Sequence, residues 1–495
     1  MNEQNVRKLT EQEQIRMNKM NELREMGVNP FGKRFIPTHY SLSLKEKYED
    51  VSKEELLELN EEVIVAGRIM TKRGKGKAGF MHIQDNEGQV QIYLRSDSLS
   101  EIDFIVYEKA DIGDIVGIKG VVFKTKTGEV SVKAREYYHL TKALKPLPEK
   151  YHGLTDEEVR FRKRYLDIIM NEEVKDIFIK KQKFWSTIRN YMIEHDFLEV
   201  ETPILETSSG GAAATPFATH HNALDIDVFL RISMGELWQK KLLVAGFEKT
   251  FEIGRQFRNE GMSPEHLQDY TQMEFYWAYA DFKDGMEFTK DLYRKVTMAV
   301  LGTSKFTSRG YEIDMNKEWE VYDFEAIIEK RTGINIFNST KEDIEKKLDE
   351  ENATYDPNIG YWRLVDILWK VVRKELSGPG FLVGQPVQLN PLPKRLEEDS
   401  RKVAQMQIIL AGSEMGNGYT ELNDPIDLEE RFKEQRIMGE QGDEEAHEHD
   451  ETFIEALRYG MPPAYGFGVS ERLFSVMMDR PIRECVFFPL MKPKN

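Results

Sequence analysis

The chain has 495 residues, of which 40% are hydrophobic and 31% charged, with a formal net charge of -17 and one cysteine, Cys485. That length is too great for one ordinary core and predicts two or three domains. No apolar run is long enough to span a bilayer, one cysteine closes no intrachain disulfide, and the acidic balance argues against general coating of nucleic acid.

The opening stretch, MNEQNVRKLTEQEQIRMNKM, lacks the apolar core of a secretory signal, so a cytoplasmic protein without membrane association is expected. Ile15, Met20, Leu23 and Met26 recur near helical spacing and the stretch ends at Gly27, before Asn29-Pro30. This predicts one amphipathic helix over 10–27, within a helical extension covering 1–60. Over 61–142 five β-rich runs, VIVAGRIM, GFMHIQD, QVQIYLR, DIVGIKGVVF and EVSVKAREYYHL, alternate with glycine-containing turns and predict a five-stranded barrel of the OB type. Cations gather there at Lys72, Arg73, Lys75 and Lys77 and recur at Lys119, Lys124, Lys126, Lys133 and Arg135, a local basic face on an acidic chain. Two prolines and a glycine in TKALKPLPEKYHGL suit a linker, 143–160.

Over 161–495, helical segments such as VKDIFIKKQKFWSTIRNYMIEHDF alternate with strand-like FLEVETPIL, VFLRIS, KTFEIGRQF and QMEFYWAYA, which predicts an α+β domain built on a sheet flanked by helices. Residues 335–400 are charged, helical in pattern and poor in strand signal, as an insertion would be. The run GEQGDEEAHEHDE is expected to be solvated acidic surface.

Three constellations carry chemistry. FRNEG, Phe257 to Gly261, follows a β-rich run; with Arg258 and Glu260 at alternate strand positions the two would share a face, and a guanidinium fork suits both phosphate and carboxylate. A surface ion pair is the plainer reading of those two residues. FLEVETPIL ends in Thr202-Pro203 and leads to SSGGAAATPF, where Gly210 and Gly211 permit close backbone approach or simply form a turn. GFGVSERL, Gly466 to Leu473, brings glycines to a helix carrying Arg472, which either places N–H groups and a cation beside a nucleotide or is an ordinary connection.

In this order, behind a β-barrel, the three elements resemble motifs 1, 2 and 3 of class II aminoacyl-tRNA synthetases with an N-terminal anticodon-binding barrel. The phrases GRIMTKRGKGKAGFMHIQD, FKTKTGE, RYLDI, PFATHHNALD, EMGNGYTELNDP, GDEEA and FFPLMKP resemble the lysyl-tRNA synthetase family more than its aspartyl and asparaginyl relatives. The resemblance runs from about residue 15 to the C-terminus and is weakest over 335–405. It implies an antiparallel catalytic sheet, a homodimer with motif 1 at the interface, and ATP, L-lysine and tRNA(Lys) as substrates.

It also implies roles. Arg258 matches the motif 2 arginine on the α-phosphate and substrate carboxylate, and Arg472 the motif 3 arginine over the nucleotide; both are the expected catalytic residues. Glu260, His266 and Tyr270 match ATP-binding positions, Tyr270 standing where a phenylalanine usually stacks on adenine. Gly211, Glu236, Glu274, Tyr276, Asn417, Tyr419 and Glu421 match the lysine pocket. Glu421 and Tyr276 would take the side-chain ammonium and Glu236 the α-ammonium. The chemistry agrees, since an ammonium has three donors and no acceptor. In the barrel, Arg68, Phe80 and Gln91 match positions that read a central anticodon uridine, although an aromatic on a strand is commonly barrel core.

Glu414 and Gln407 match positions that help hold Mg²⁺ on the triphosphate, but the family commonly has a glutamate at the latter, so metal number is in question. RISMGEL carries one residue more than the family before Glu236, and GFGVSER one fewer in motif 3. An aspartyl or asparaginyl enzyme, an enzyme that lysylates protein, and a tRNA-binding regulatory paralogue are the competing readings. The first should need a cationic or amide-reading pocket, and the second type lacks the barrel.

Overall fold

Alternating apolar positions draw the β-rich runs into a closed barrel. The strands are β1 (Glu62–Arg73), β2 (Ala78–Gln84), β3 (Gln89–Arg95), β4 (Ile115–Lys124) and β5 (Val130–Thr141), joined in the order β1-β2-β3-β5-β4. Val63, Val65, Met81, Ile83, Val90, Ile92 and Val132 point inward, one face of each strand as its two-residue period requires. The computed structural model describes residues 9–74, 76–148, 156–208, 214–440 and 451–494, in two units, Met1–Asp156 and Glu157–Asn495.

The N-terminal helix spans Glu11–Glu25 and starts at a capping box between Thr10 and Glu13. It buries Met20 and Leu23 but leaves Ile15 exposed, so the apolar stripe is narrower than the spacing suggested. A further helix, Glu101–Lys109, sits between β3 and β4; Lys72 donates to the carbonyls of Tyr107, Glu108 and Ala110 at its end, at 2.7, 3.0 and 2.8 Å. Lys72 is thus a helix cap and not a free member of the basic face, and burial lowers its pKa to about 8.

In the second unit eight strands form one sheet: β6 (Leu198–Glu199), β7 (Lys249–Phe257), β8 (Asp269–Ala278), β9 (Glu320–Asp323), β10 (Gly380–Val383), β11 (Gln405–Leu410), β12 (Ser413–Thr420) and β13 (Ala464–Ser470). Their order is β9-β10-β11-β12-β13-β8-β7-β6, antiparallel throughout except for the parallel pair at each edge. Helices Glu172–Glu194 and Phe282–Leu301 contribute Phe184, Ile188, Leu292 and Val296 to a core shared with Phe275, Phe467 and Ile408 of the sheet. Helices Phe324–Thr332, Lys341–Glu350 and Tyr361–Val372 bury a separate cluster around Ile344, Leu364 and Trp369. The 335–400 stretch also supplies β10 to the main sheet. Its four residues, GFLV, are too few to show a period, which is why no strand was expected there. Residues 441–450 of the acidic run lie outside the described residues.

Candidate active site

Two glycines of β13 make the floor. Gly466 lies between Tyr276 of β8 and Tyr419 of β12, and Gly468 between Glu274 and Asn417. A Cβ on Gly466 would stand 2.2 Å from Glu421 Oε1 and 2.7 Å from the Tyr276 ring; one on Gly468 would stand 3.2 Å from Glu274 Cγ. The missing side chains open a cavity of about 520 Å³. These glycines lie within β13, and the helix that carries Arg472, Arg472–Met477, follows directly after Glu471.

At one end of the cavity the walls are acidic. Glu236 opens the helix Glu236–Val244, preceded by Gly235 at φ 65°, where a Cβ would meet Thr202 Oγ1 at 2.2 Å. Beyond that helix, β7 and β8 pair without a break from Lys249↔Trp277 to Phe257↔Asp269. Glu236 Oε1 accepts from the Tyr419 hydroxyl at 2.5 Å and from Lys240 Nζ at 2.8 Å. Lys240 Nζ also lies 2.6 Å from Glu421 Oε2. Glu274 accepts from Gln272 Nε2 at 2.6 Å, from the Met234 N–H at 3.3 Å and from the Tyr276 hydroxyl at 3.3 Å. Burial, with the Glu236 charge added, raises Glu274 to about 7. Burial also holds Glu421 well above the usual carboxyl range, against the opposing pull of Lys240. Buried carboxylates and phenol oxygens of this kind accept ammonium groups.

The other end is cationic. Arg258 stands just past the end of β7 and not on it, so it does not share a strand face with Glu260 as expected. Its Nε donates to the Ile232 carbonyl at 3.3 Å and its guanidinium lies 6.0 Å from the centre of the Tyr270 ring. Tyr270 packs against Leu267, Ile482 and Val486. Arg472 donates to the Glu414 carbonyl, and its Nη1 lies 3.4 Å from His266 Nε2 and 3.6 Å from Glu265 Oε2. Burial, then Arg472, lowers the His266 pKa, so the ring is neutral at pH 7. Glu260 is exposed and does not line the cavity, whereas Arg258, His266, Tyr270 and Arg472 do. Gly211 lies outside the described residues.

Three contributors were missed. Lys240 had a local signal, lying four residues after Glu236 and hence on the same helix face. Glu265, next to His266, receives Arg309 Nη1 at 2.6 Å and the Ser413 hydroxyl at 3.2 Å; Arg472 and Arg309 hold it below the usual carboxylate range although burial opposes them. Arg309 comes from a hairpin turn, its N–H donating to Asp479 Oδ1 at 2.8 Å, and nothing local marks it.

Glu414 and Gln407 line the same cavity. Glu414 Oε1 accepts from Trp369 Nε1 at 2.7 Å and lies 3.1 Å from Arg373 Nη1. Among the described residues no group of three or more His, Cys, Asp or Glu is placed to hold a metal. One carboxylate and one amide oxygen fit a Mg²⁺ that arrives on a triphosphate and keeps its waters, not an all-protein cage.

In the barrel, Arg68, Phe80 and Gln91 share the outer face of β1, β2 and β3, with Arg68 opposite Gln84, Phe80 opposite Tyr93 and His82 opposite Gln91. Phe80 is not barrel core. It stacks on Tyr93, ring centres 4.6 Å apart, with the Arg73 guanidinium 5.6 Å away. Gln91 is buried and donates to Glu129 Oε2 at 2.9 Å, and Arg68 Nη1 donates to the Gly113 carbonyl at 2.8 Å. A half-buried aromatic on the outer barrel face between polar side chains suits a single-stranded base.

Comparison with known families agrees with both units. Residues 156–492 match the model of tRNA synthetases class II (D, K and N), and residues 63–140 match the OB-fold nucleic acid binding domain. A lysine–tRNA ligase of Staphylococcus saprophyticus is 46% identical over 98% of this chain and 99% of its own. The corresponding proteins of Enterococcus faecalis and Bacillus subtilis are 46% and 44% identical, covering 98% and 99% of each chain. The chain belongs to the class II tRNA synthetases, within the lysine–tRNA ligase family.

Proposed function

We propose that the protein activates L-lysine with ATP to lysyl-adenylate and transfers the lysyl group to the 3′ end of tRNA(Lys). The observation that carries this reading is the acidic end of the cavity, where Glu236, Glu274 and Glu421 are buried beside the hydroxyls of Tyr276 and Tyr419. An aspartyl or asparaginyl substrate would bring a carboxylate or an amide against those carboxylates and leave them unpaired.

In the first step a lysine carboxylate oxygen attacks the α-phosphorus, the bond to the bridging oxygen breaks, and pyrophosphate leaves. The attacking group is already ionised at neutral pH, so positioning and charge stabilisation do the work. Arg258 would steady the substrate carboxylate and α-phosphate, with Arg472 and Tyr270 enclosing the base and His266 near the phosphates. Mg²⁺ brought with ATP would neutralise phosphate charge, with Glu414 and Gln407 as its protein ligands. In the second step the 3′-hydroxyl of the terminal adenosine attacks the acyl carbon and AMP leaves. Phe80, Arg68 and Gln91 would read the anticodon.

A homodimer is supported by apolar side chains left exposed on this unit, with Phe487, Phe488 and Leu490 at 52%, 72% and 67%. Among the described residues no helix is long and apolar enough to cross a membrane. The test is pyrophosphate exchange into ATP with each of the twenty amino acids. Exchange with lysine alone is expected, falling about 10²–10³-fold in Arg258→Ala. Exchange driven by another amino acid, or by none, would overturn the reading.

A further inference from the structure

Lys240 is 2% exposed, and its ammonium stands 2.8 Å from Glu236 Oε1 and 2.6 Å from Glu421 Oε2. The rings of Tyr419, Phe453 and Tyr276 surround it at 5.5, 5.7 and 5.9 Å. Carboxylates and aromatic faces around a cation are what an ammonium site is made of. Here the chain's own ammonium stands at the junction of the two carboxylates that the substrate is to meet.

We infer that Lys240 is a positioning and specificity-determining residue: bridging Glu236 and Glu421, it holds the two carboxylates together in a dry pocket, favours a charged Glu421 against its burial, and matches the pocket's charge to a substrate with two ammonium groups. The inference rests on the lysine reading above. Once lysine has displaced their protons, the pocket's three buried glutamates, less the charge of Lys240, leave two negative charges, which the α- and ε-ammonium groups meet. A carboxyl group buried without a cation takes a proton, and a protonated carboxyl no longer attracts an ammonium.

The groups facing Glu421 are few. Lys240 and Glu236 come from the Glu236–Val244 helix, Glu274 and Tyr276 from β8, Tyr419 from β12 and Tyr465 from β13. The three tyrosines are raised well above their ordinary range by burial and stay neutral, and Glu274 and Glu236 add repulsion. Lys240 is the one cation acting on Glu421 in this set. Without it all of the neighbouring charges favour protonation.

The experiment is calorimetric titration of the full chain with L-lysine between pH 6.5 and 9, in wild type, Lys240→Gln and Lys240→Arg, with ATP binding measured in each. Gln keeps hydrogen-bond donors without charge, and Arg keeps the charge. Expected at pH 7 is a loss of lysine affinity on the order of 10²-fold in Lys240→Gln. That loss should shrink by about tenfold per pH unit as pH rises, because the carboxyls recover their charge. Lys240→Arg should restore most of the affinity, and ATP binding should hold in all three. An unchanged affinity and pH profile in Lys240→Gln overturns the inference. So does a loss equal at every pH, or one shared by ATP binding, because either marks a merely structural side chain. Wild-type protein that binds ATP but no lysine removes the lysine reading itself, and the inference with it.

Discussion

Lys240 and Glu421 are 2% and 1% exposed, whereas Arg309, Arg472 and Glu265 keep 30%, 21% and 24% of their side chains in solvent. Both ends of the cavity pair opposite charges, but one does so dry and the other wet. Burial makes each contact stronger and each unpaired group costlier, so the acidic end is suited to telling one amino acid from another. The wetter end is suited to polyphosphate, a ligand that must enter, break and leave. Its arginines are satisfied meanwhile by Glu265 and the Glu414 carbonyl, partners that an incoming phosphate can replace.

The largest effect is expected at the dry end. Glu421→Gln keeps the shape and removes the charge, and should weaken lysine binding by about 3–5 kcal/mol, roughly 10²–10⁴-fold, with ATP affinity unchanged. Equal losses for both ligands, measured by calorimetry, would erase the distinction between the ends.

A smaller effect follows from titration. Glu274 is raised to about 7 and Glu421 is raised as well, so both carry protons on the acid side in the free protein. An ammonium favours the ionised form, so lysine binding releases protons and tightens as pH rises through about 7. The expected slope is about tenfold per pH unit per proton below that point, flattening above it. ATP affinity should follow no such curve, and proton release can be read from binding heats in buffers of different ionisation enthalpy.

The smallest effect belongs to the wet end. Glu265→Gln removes an internal competitor for Arg309 and Arg472, and should tighten ATP binding by about 2–5-fold, as exposed ion pairs are worth under about 1 kcal/mol. Weaker ATP binding in that variant would mean that Glu265 orients the arginines and does not compete with phosphate.

The barrel was legible because its five runs are short, β-rich and separated by glycine-containing turns, and the pocket glutamates because the family phrases around them are long. Arg258 was recognised but its backbone was misread: FRNEG continues a β-rich run, and only the tertiary hydrogen bond of the next residue, from the Asn259 N–H to the Thr215 carbonyl at 2.8 Å, shows the chain leaving the sheet. β10 was missed because a four-residue strand held by neighbours on both sides has no period of its own. Arg309 was missed for a related reason. It meets Glu265 across 44 residues, through a hairpin turn, and no local pattern encodes such a meeting.

Gly466 and Gly468 give the pocket its ruler. With no side chain between Tyr276 and Tyr419, the span between those walls is counted in strand spacings, two of about 4.8 Å, instead of in packed side-chain volumes. A width set by backbone hydrogen bonding does not drift as the surrounding core is repacked, so substitutions elsewhere can accumulate while the gauge for the substrate stays the same.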